Sequence, residues 1–231
     1  RHNAYHDTLT NLPNRAFFME RLQQAIHTVE KQNNSLFAVL FIDLDDFKYI
    51  NDSLGHAIGD KLLISLTDRL KNCLGATDIL ARFGGDEFTI LLAEVGEFQE
   101  VITVAQKIQQ ELTLPFNLGT HQVFTNASIG IALLTADYQQ PEELLRDADI
   151  AMYSAKEKGQ GNYSIFNRQM HQKMLERLQL EIDLRQAIER QEFQVYYQPI
   201  VSFKTDKIAG FEALIRWQHP DGSWISPAKF I

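Results

Sequence analysis

Acidic side chains stand at two places where apolar stretches give way to polar ones. Asp43 lies at the end of the apolar run 35–44, and Asp86 and Glu87 follow two glycines in ILARFGGDEFTILL. A carboxylate buried without a partner costs several kcal/mol, so these acids need partners. If the two strands are neighbours, Asp43 and Asp86 converge at one sheet edge. Converging acids form a hard oxygen site suited to Mg²⁺, which bridges substrate phosphates.

The residue pattern leaves other interpretations open. The alternative interpretation of Asp43 is a capping or salt-bridged acid at a strand end. In the following segment, DLDDFKYINDSLGHAIGD, Lys48 could stabilise developing phosphate charge. Asn51 and Asp60 could bind a guanine, because an amide and a carboxylate match its carbonyl acceptor and its N1 and N2 donors. The same composition also suits a surface turn followed by a helix.

Glycine-rich phosphate cradles of the usual kinds are absent from the sequence. The segment GHAIGDKL is too short in its spacing for a P-loop, and no Ser or Thr follows its lysine. No GxGxxG motif follows a predicted strand. The net charge of −8 argues against general binding to nucleic acid, which needs a basic face. It is compatible with a nucleotide held through a divalent cation.

Hydrophobic periodicity predicts the elements that must position these side chains. A short continuous apolar run over 35–44 indicates a buried central strand, and two strands flank Gly84 and Gly85. A further strand pair falls within 121–135. Helical spacing predicts helices over 14–31, 57–74, 98–112 and 141–158. This order predicts an α+β fold of the ferredoxin-like or polymerase-palm type, with a mostly antiparallel central sheet flanked by helices.

The composition changes after about residue 166. Residues 167–190 are strongly charged with helical periodicity, which predicts a connecting helix. Residues 191–231 contain two predicted strands and are too few to close a second α/β domain. We therefore expect a domain over 1–166, a connecting helix over 167–190 and the start of an incomplete second domain over 191–231.

The composition also indicates the cellular compartment of the chain. No run of about 18 apolar residues exists, and the first ten residues lack the apolar core of a signal peptide. A single cysteine, Cys73, excludes an internal disulfide and a cysteine metal cage, and its helical context predicts a small buried hydrophobic residue. We expect a reduced, cytoplasmic domain without membrane contact. The start at Arg1 rather than Met indicates an excised piece, so an upstream sensor or anchor stays open.

Five motifs, in order, resemble those of GGDEF domains, the diguanylate cyclases. They are DTLTNLPNR (7–15), FIDLDDFKYINDSLGHAIGD (41–60), the signature RFGGDEF (82–88), ASIGIA (127–132) and ADIAMYSAKEKGQGN (148–162). The resemblance covers about residues 1–166. It implies an enzyme dependent on Mg²⁺ or Mn²⁺ that joins two GTP molecules into cyclic di-GMP with release of two pyrophosphates. Because one domain holds one GTP, it also implies a homodimer.

The resemblance implies roles for individual residues. Asp43, the backbone carbonyl of Leu44 and Asp86 would bind the metal. Either Asp86 or Glu87 would assist deprotonation of the ribose 3′-OH, and Lys48 would act on the triphosphate. The remaining residues implied to bind substrate are Phe47 near the triphosphate, Asn51, His56 and Asp60 at the guanine, Lys156 at the phosphates, and Gly84 and Gly85, which let the backbone approach GTP without a Cβ. A purely structural role for His56 is equally open.

Two departures from the family pattern bear on regulation and activity. The inhibitory RxxD site of the family has Gly75 in place of its arginine, although Asp78 is present. A glycine cannot supply a bidentate guanidinium, so we expect weak or absent product inhibition. Gln160 in KGQGN replaces a frequent arginine, which leaves Lys156 with less help on the phosphates and predicts weaker activity or a higher GTP requirement.

The C-terminal segment, from YYQPIV to the last residue, resembles the start of an EAL domain, the cyclic di-GMP phosphodiesterase. Glu212 corresponds to the first metal-binding glutamate, and Gln198 and Arg216 to ligand-contact positions. Because the other metal ligands and the general base are absent, we expect this piece to be inactive. The chain is interpreted as a diguanylate cyclase module of a tandem signalling protein. The alternative is a catalytically weak GTP-binding domain that regulates an attached phosphodiesterase.

Overall fold

Two compact units, Arg1–His171 and Gln172–Ile231, make up the chain. The computed structural model describes residues 4–31, 36–135 and 137–231. In chain order its elements are α1 (Arg15–Lys31), β1 (Leu36–Leu44), α2 (Phe47–Leu54), α3 (His56–Asn72), β2 (Ile79–Gly84), β3 (Glu87–Val95), α4 (Phe98–Thr113), β4 (Phe116–Leu118), β5 (His121–Val123), β6 (Ala127–Leu134), α5 (Pro141–Glu157), β7 (Tyr163–Ile165), α6 (Arg168–Glu189), β8 (Phe193–Ser202), β9 (Lys207–Gln218), β10 (Trp224–Ile225) and α7 (Pro227–Phe230).

The first unit is built on a five-stranded sheet with the order β2-β3-β1-β6-β7. Neighbouring strands are antiparallel except for β6 and β7, which are parallel. The predicted α+β fold with a mostly antiparallel sheet flanked by helices is confirmed. The two strands predicted within 121–135 are present, but they do not pair with each other. Instead, β5 forms a separate hairpin with β4, and β6 joins the central sheet beside β1.

Strand β1 is apolar throughout because both of its faces are covered. Successive side chains of a strand point to opposite faces, so alternate residues enter different cores. Ala38, Leu40 and Ile42 belong to a core built with α3 and α4. Val39 and Phe41 belong to a second core built with α1 and α5. The same alternation places Asp43, two residues after Phe41, on the side of the sheet that α5 covers.

Helix α5 lies unusually close to strand β6, and a glycine makes this possible. A Cβ on Gly130 would overlap the carbonyl oxygen of Ala148 and the backbone nitrogen of Met152. Main-chain atoms of a helix cannot move aside as a flexible side chain can. Gly130 therefore sets the distance of α5 from the sheet.

The second unit contains a three-stranded sheet with the order β10-β9-β8, whose neighbours are antiparallel. Trp217 is its largest fully buried side chain, and its indole nitrogen donates to Glu192 Oε2 at 3.0 Å. In the first unit, Cys73 is buried as predicted. Within the described parts of the chain, no helix combines the length and the apolar character needed to cross a membrane.

Candidate active site

The site begins with an ion pair between β1 and α5. The Lys156 ammonium nitrogen lies 2.7 Å from Asp43 Oδ1, with the Asp43 side chain 14% exposed and that of Lys156 37% exposed. Burial raises the pKa of Asp43, the neighbouring charges of Asp86 and Asp45 raise it further, and Lys156 opposes that shift. The structure thus brings together two predicted site residues that are 113 positions apart. Asp43 is a salt-bridged acid at a strand end and also lies close to a second acid.

The register of β1 and β3 completes the acidic cluster. Asp43 lies directly opposite Glu87, and directly opposed residues of antiparallel strands share a face. Asp86 occupies the turn before β3, where its backbone carbonyl accepts a hydrogen bond from the Leu44 amide at 3.4 Å. Asp86 and Leu44, both predicted to bind the metal, are therefore joined through the backbone.

A signature arginine holds the glycine turn that presents these acids. Arg82 donates from Nε and Nη2 to the Gly85 carbonyl at 3.1 and 2.8 Å, and from Nη1 to Asp7 Oδ1 at 2.8 Å. Gly84 and Gly85 have φ angles of 147° and 50°, which side chains with a Cβ rarely adopt. These glycines are thus required by the turn itself, a reason separate from the predicted approach of GTP.

Asp149 is an acid of this cluster that the sequence interpretation missed. Desolvation raises the pKa of Glu87, and the charges of Asp43 and Asp149 raise it further. Desolvation also raises the pKa of Asp149, although this side chain is exposed, and Lys156 opposes that shift. Asp149 precedes Lys156 by seven residues on α5, which is two turns, so the helical spacing was the available signal.

The residues predicted to bind guanine lie on α2 and α3. Asn51 packs against Gly59 so closely that a Cβ on Gly59 would overlap Asn51 Oδ1. Asp60 is the next residue of α3, and both Asp60 and His56 are exposed on that helix. Gly59 was not predicted as a site residue; its lack of a side chain is what allows Asn51 to lie there.

The two residues predicted near the triphosphate differ in their surroundings. Phe47 is buried in the core that α3 and α4 help to form, whereas Lys48, the next residue of α2, is exposed. Asp46, before them, has a left-handed backbone with φ 59° and starts α2. Its side chain accepts a hydrogen bond from the Gln160 amide. Gln160, predicted to matter for Lys156, therefore contacts the start of α2.

The donor set suits a divalent cation. Within residues 4–31, 36–135 and 137–231, no three His, Cys, Asp or Glu side chains are arranged to hold a metal ion by themselves. The site nevertheless concentrates acids whose repulsion and desolvation raise the pKa values of Asp43 and Glu87. A cation would relieve that repulsion, and Mg²⁺ needs one or two carboxylates because waters and phosphates complete its shell. Asp43, Asp86 and the Leu44 carbonyl fit such a site.

At the position predicted to correspond to the inhibitory site of the family, the Asp78 carboxylate makes hydrogen bonds within the protein. Its Oδ2 accepts a hydrogen bond from the Gly75 amide at 2.8 Å, and its Oδ1 accepts one from the Ala93 amide at 3.2 Å. One oxygen therefore stabilises the turn before β2, and the other joins that turn to β3. This arrangement makes a structural role for Asp78 sufficient to explain its presence.

In the second unit, the three predicted ligand positions share one face. Gln198 on β8 lies directly opposite Glu212 on β9, and Arg216 lies opposite Gln194. Positions separated by an even number of residues on a strand point to the same side, so Gln198, Glu212 and Arg216 lie on one face of this sheet. The Arg216 guanidinium also lies 5.8 Å from the centre of the Tyr196 ring.

Comparison with known proteins identifies the first unit. Residues 4–162 match the family model described as "Diguanylate cyclase, GGDEF domain", and residues 181–231 match that of the EAL domain. The first match covers more than half of the chain. The chain belongs to the GGDEF diguanylate cyclase family. A GGDEF domain followed by EAL sequence confirms both resemblances.

Two relatives match this chain over nearly its whole length. The chain is 44% identical over 228 residues to the bifunctional diguanylate cyclase/cyclic di-GMP phosphodiesterase MucR of Pseudomonas aeruginosa, covering 99% of this chain and 33% of that protein. It is 38% identical over 231 residues to the cyclic di-GMP phosphodiesterase NbdA of the same organism, covering 100% of this chain and 29% of NbdA. The chain thus spans about a third of the length of these relatives.

A solved structure supports the GGDEF fold. The isolated GGDEF domain of TpbB (YfiN) from Pseudomonas aeruginosa superposes with a TM-score of 0.70 at 40% identity. The match covers 74% of this chain and 99% of the TpbB chain. The GGDEF domain described here therefore has the fold of a known member of its family.

Proposed function

We propose that residues 1–166 form a diguanylate cyclase that condenses two GTP molecules into cyclic di-GMP and two pyrophosphates. The observation that carries this proposal is the cluster of Asp43, Asp86 and Glu87 at one sheet edge, with the Lys156 ammonium 2.7 Å from Asp43. A scaffold for dimerisation alone would not require these mutually repelling acids. Residues 167–190 are proposed as a connecting helix, and residues 191–231 as EAL sequence that is inactive by itself.

The proposed metal ligands are Asp43, the Leu44 carbonyl and Asp86, and the ion is Mg²⁺ or Mn²⁺. When bound, the cation would neutralise charge on the phosphates of GTP. Other residues of the chain bind the nucleotide. Lys156 and Lys48 bind the phosphates, Phe47 packs beside them, and Gly84 and Gly85 allow the backbone to lie against the nucleotide.

Guanine recognition is assigned to the surface between α2 and α3. The Asn51 amide and the Asp60 carboxylate together match the guanine edge. An amide donates to the guanine carbonyl, and a carboxylate accepts from its N1 and N2 donors. His56 lies on the same helix as Asp60 and is proposed to touch the nucleotide. The close contact of Asn51 with Gly59 supports a fixed orientation of that amide.

The reaction consists of two equivalent transfers. In each, the ribose 3′-oxygen of one GTP forms a bond to the α-phosphorus of the other, and the bond from that phosphorus to pyrophosphate breaks. The hydroxyl proton passes to a carboxylate, either Asp86 or Glu87. Because one domain binds one GTP, the two nucleotides must face each other across a homodimer.

The deciding experiment incubates the purified chain with GTP and Mg²⁺ and detects cyclic di-GMP by chromatography. We expect product with Mg²⁺ or Mn²⁺ and none after EDTA treatment. Asp86→Asn and Glu87→Gln are compared separately to distinguish metal ligand from proton acceptor. An Asp86→Ala variant with full turnover would rule out the proposed site.

Weak product inhibition is part of the proposal. The support is that Gly75 offers no guanidinium and that both Asp78 oxygens already accept backbone hydrogen bonds. Turnover is expected to continue as cyclic di-GMP accumulates. A tight cyclic di-GMP complex that involves Asp78 would contradict this.

A second candidate function is a GTP-binding domain that regulates an attached phosphodiesterase. The observation that favours it is the similarity of the whole chain to NbdA, which is named only as a cyclic di-GMP phosphodiesterase. Measurable GTP binding with no cyclic di-GMP at high protein concentration would support this candidate over the cyclase. Retention of the acids and lysines of the proposed site supports catalysis.

A further inference from the structure

The carboxylate of Asp45 is buried behind the proposed metal site. Only 7% of the residue is exposed, so its charge must be satisfied by the protein. Its Oδ1 accepts a hydrogen bond from the Ser128 hydroxyl at 2.8 Å, and its Oδ2 accepts one from the Gly161 amide at 2.9 Å. Each carboxylate oxygen therefore has a hydrogen-bond donor within the protein.

These bonds join three separate segments of the first unit. Asp45 lies in the turn between β1 and α2, Ser128 lies near the start of β6, and Gly161 lies in the loop between α5 and β7. The Asp45 backbone adds two further bonds: its amide donates to the Asn126 carbonyl at 2.9 Å, and its carbonyl accepts from the Thr125 hydroxyl at 2.9 Å. Four hydrogen bonds of Asp45, two from its side chain and two from its backbone, therefore hold the turn after β1.

Each of these three segments carries or adjoins part of the proposed site. The turn directly follows Asp43 and Leu44, and Ser128 lies opposite Asp43 in the register of β1 and β6. The loop of Gly161 begins directly after α5, whose last turn contains Lys156. A bond from Asp45 to Gly161 therefore connects the end of the helix that carries the lysine to the strand end that carries its partner.

The loop between α5 and β7 is shaped to receive this bond. Gly159 and Gly161 have φ angles of 110° and 68°, which glycine adopts without steric cost. The Gly161 carbonyl is held from the other side by the Gln109 side chain at 2.8 Å. Among the described residues, Gln109 contacts the same residue as Asp45 but makes no hydrogen bond to the turn after β1, so it is a matched control.

We propose that Asp45 is a positioning residue that holds Asp43, Leu44 and Lys156 in register by tying the β1–α2 turn to Ser128 and Gly161. This inference rests on the proposed cyclase function. Groups that orient metal ligands from behind typically change metal affinity or activity by about 10- to 100-fold when removed. Loss of the Asp45 bonds would allow the strand end and the helix end to move relative to each other.

The test compares Asp45→Asn with Gln109→Ala in the full chain. Hydrogen–deuterium exchange of a peptide containing Gly161 measures the protection given by the bond between Asp45 and Gly161, with β3 peptides as the internal reference. Cyclic di-GMP formation and calorimetric titration of GTP in Mg²⁺ report the site. We expect faster exchange at Gly161, unchanged β3 and turnover lower by roughly 10- to 100-fold in Asp45→Asn. Gln109→Ala keeps the wild-type turnover.

Each remaining outcome also decides the proposal. Turnover of a folded Asp45→Asn protein within about twofold of wild type would overturn it, because such positioning groups normally matter far more. If Asp45→Asn does not fold, Ser128→Ala replaces it, with an expected loss of about fivefold for one hydrogen bond; unchanged turnover again overturns the proposal.

Failure of the cyclase proposal itself would be distinguishable. If the wild-type chain forms no cyclic di-GMP, GTP affinity in Mg²⁺ becomes the readout. A decrease of roughly tenfold in Asp45→Asn, absent from Gln109→Ala, would support the positioning role. Equal affinities in the two variants and the wild type would refute it.

Discussion

The Lys156 ammonium nitrogen lies 2.7 Å from Asp43 Oδ1, and this pair joins helix α5 to the end of the central strand. Asp43 has a raised pKa because it is desolvated, so its charge depends on this neighbour. The pair thus provides a local cation at an acidic edge. Its removal should affect both the site and the fold.

Lys156→Met is expected to lower cyclic di-GMP formation by about 100-fold, the usual effect of removing one group that stabilises transition-state charge. Thermal unfolding should show a loss of no more than about 1 kcal/mol, because the lysine is partly exposed. Lys158→Met is the matched control. Its amine donates to Ser164 at 2.8 Å and lies outside the proposed site, so near-normal turnover is expected. Equal loss in both variants would contradict the assignment of Lys156.

Glu87→Gln should stabilise the fold while it lowers turnover. Glu87 lies directly opposite Asp43, and like charges opposed across antiparallel strands destabilise the pair. Removal of one charge is expected to raise the free energy of unfolding at pH 7 by about 0.2–1 kcal/mol. Urea unfolding measures this, with Glu20→Gln on the exposed side of α1 as control. A lower free energy of unfolding in Glu87→Gln would show that this repulsion is absent.

Gly130→Ala tests how α5 reaches the site. A Cβ at this position would overlap main-chain atoms of Ala148 and Met152, so the helix must move away from β6. We expect a loss of about 3 kcal/mol in unfolding free energy, at the upper end for overpacking, together with low turnover. Gly210→Ala in β9 is the control, because its Cβ would meet nothing within 4 Å. Normal stability of Gly130→Ala would exclude this close contact.

The lowered pKa of Asp7 predicts that the stability of the fold depends on pH. Burial alone would raise the pKa of Asp7, but hydrogen bonds from Thr10 and the Arg82 guanidinium outweigh it and lower the pKa. Asp7 therefore contributes stability above its ordinary pKa of about 3.9, and that contribution is lost as pH falls through the lowered value.

Asp7→Asn should therefore cost about 1 kcal/mol at pH 7, and the difference from wild type should shrink below about pH 4. Urea unfolding between neutral and acidic pH measures both curves. Asp68→Asn, an exposed position on α3, is the control for a general charge effect. A difference that stays constant down to low pH would contradict the role of the Asp7 charge.

Gly75→Arg tests the proposed weakness of product inhibition. An arginine would supply the missing bidentate donor, and a Cβ at this position would lie 3.3 Å from Asp78 Oδ2, a contact that a small shift relieves. We expect cyclic di-GMP to inhibit the variant at concentrations about tenfold lower than wild type. Gly75→Lys adds the charge without the guanidinium geometry and should respond less. Identical inhibition of all three proteins would contradict the interpretation of Gly75.

Much of the fold follows from periodicity in the sequence. The run over 35–44 indicated a buried central strand, and β1 occupies 36–44 with cores on both faces. Periodicity did not specify partners: β5 pairs with β4 rather than β6, since pairing depends on contacts between distant segments. The parallel strand β7 was not predicted, because three residues carry too little periodic signal.

The sequence by itself determined the chemistry: which acids, lysines and amides are present, in which motifs, and that residue 75 is a glycine without a side chain. The tertiary structure decided which of them meet. Strand alternation directs Asp43 toward α5, and the absence of a side chain at Gly130 allows that helix to lie close to the sheet. Both conditions are needed for Lys156 to contact Asp43. Asp149 joined the acidic cluster in the same way, through tertiary packing. Side-chain neighbours across a sheet depend on register and on helix distance, and neither is written in the local pattern of residues.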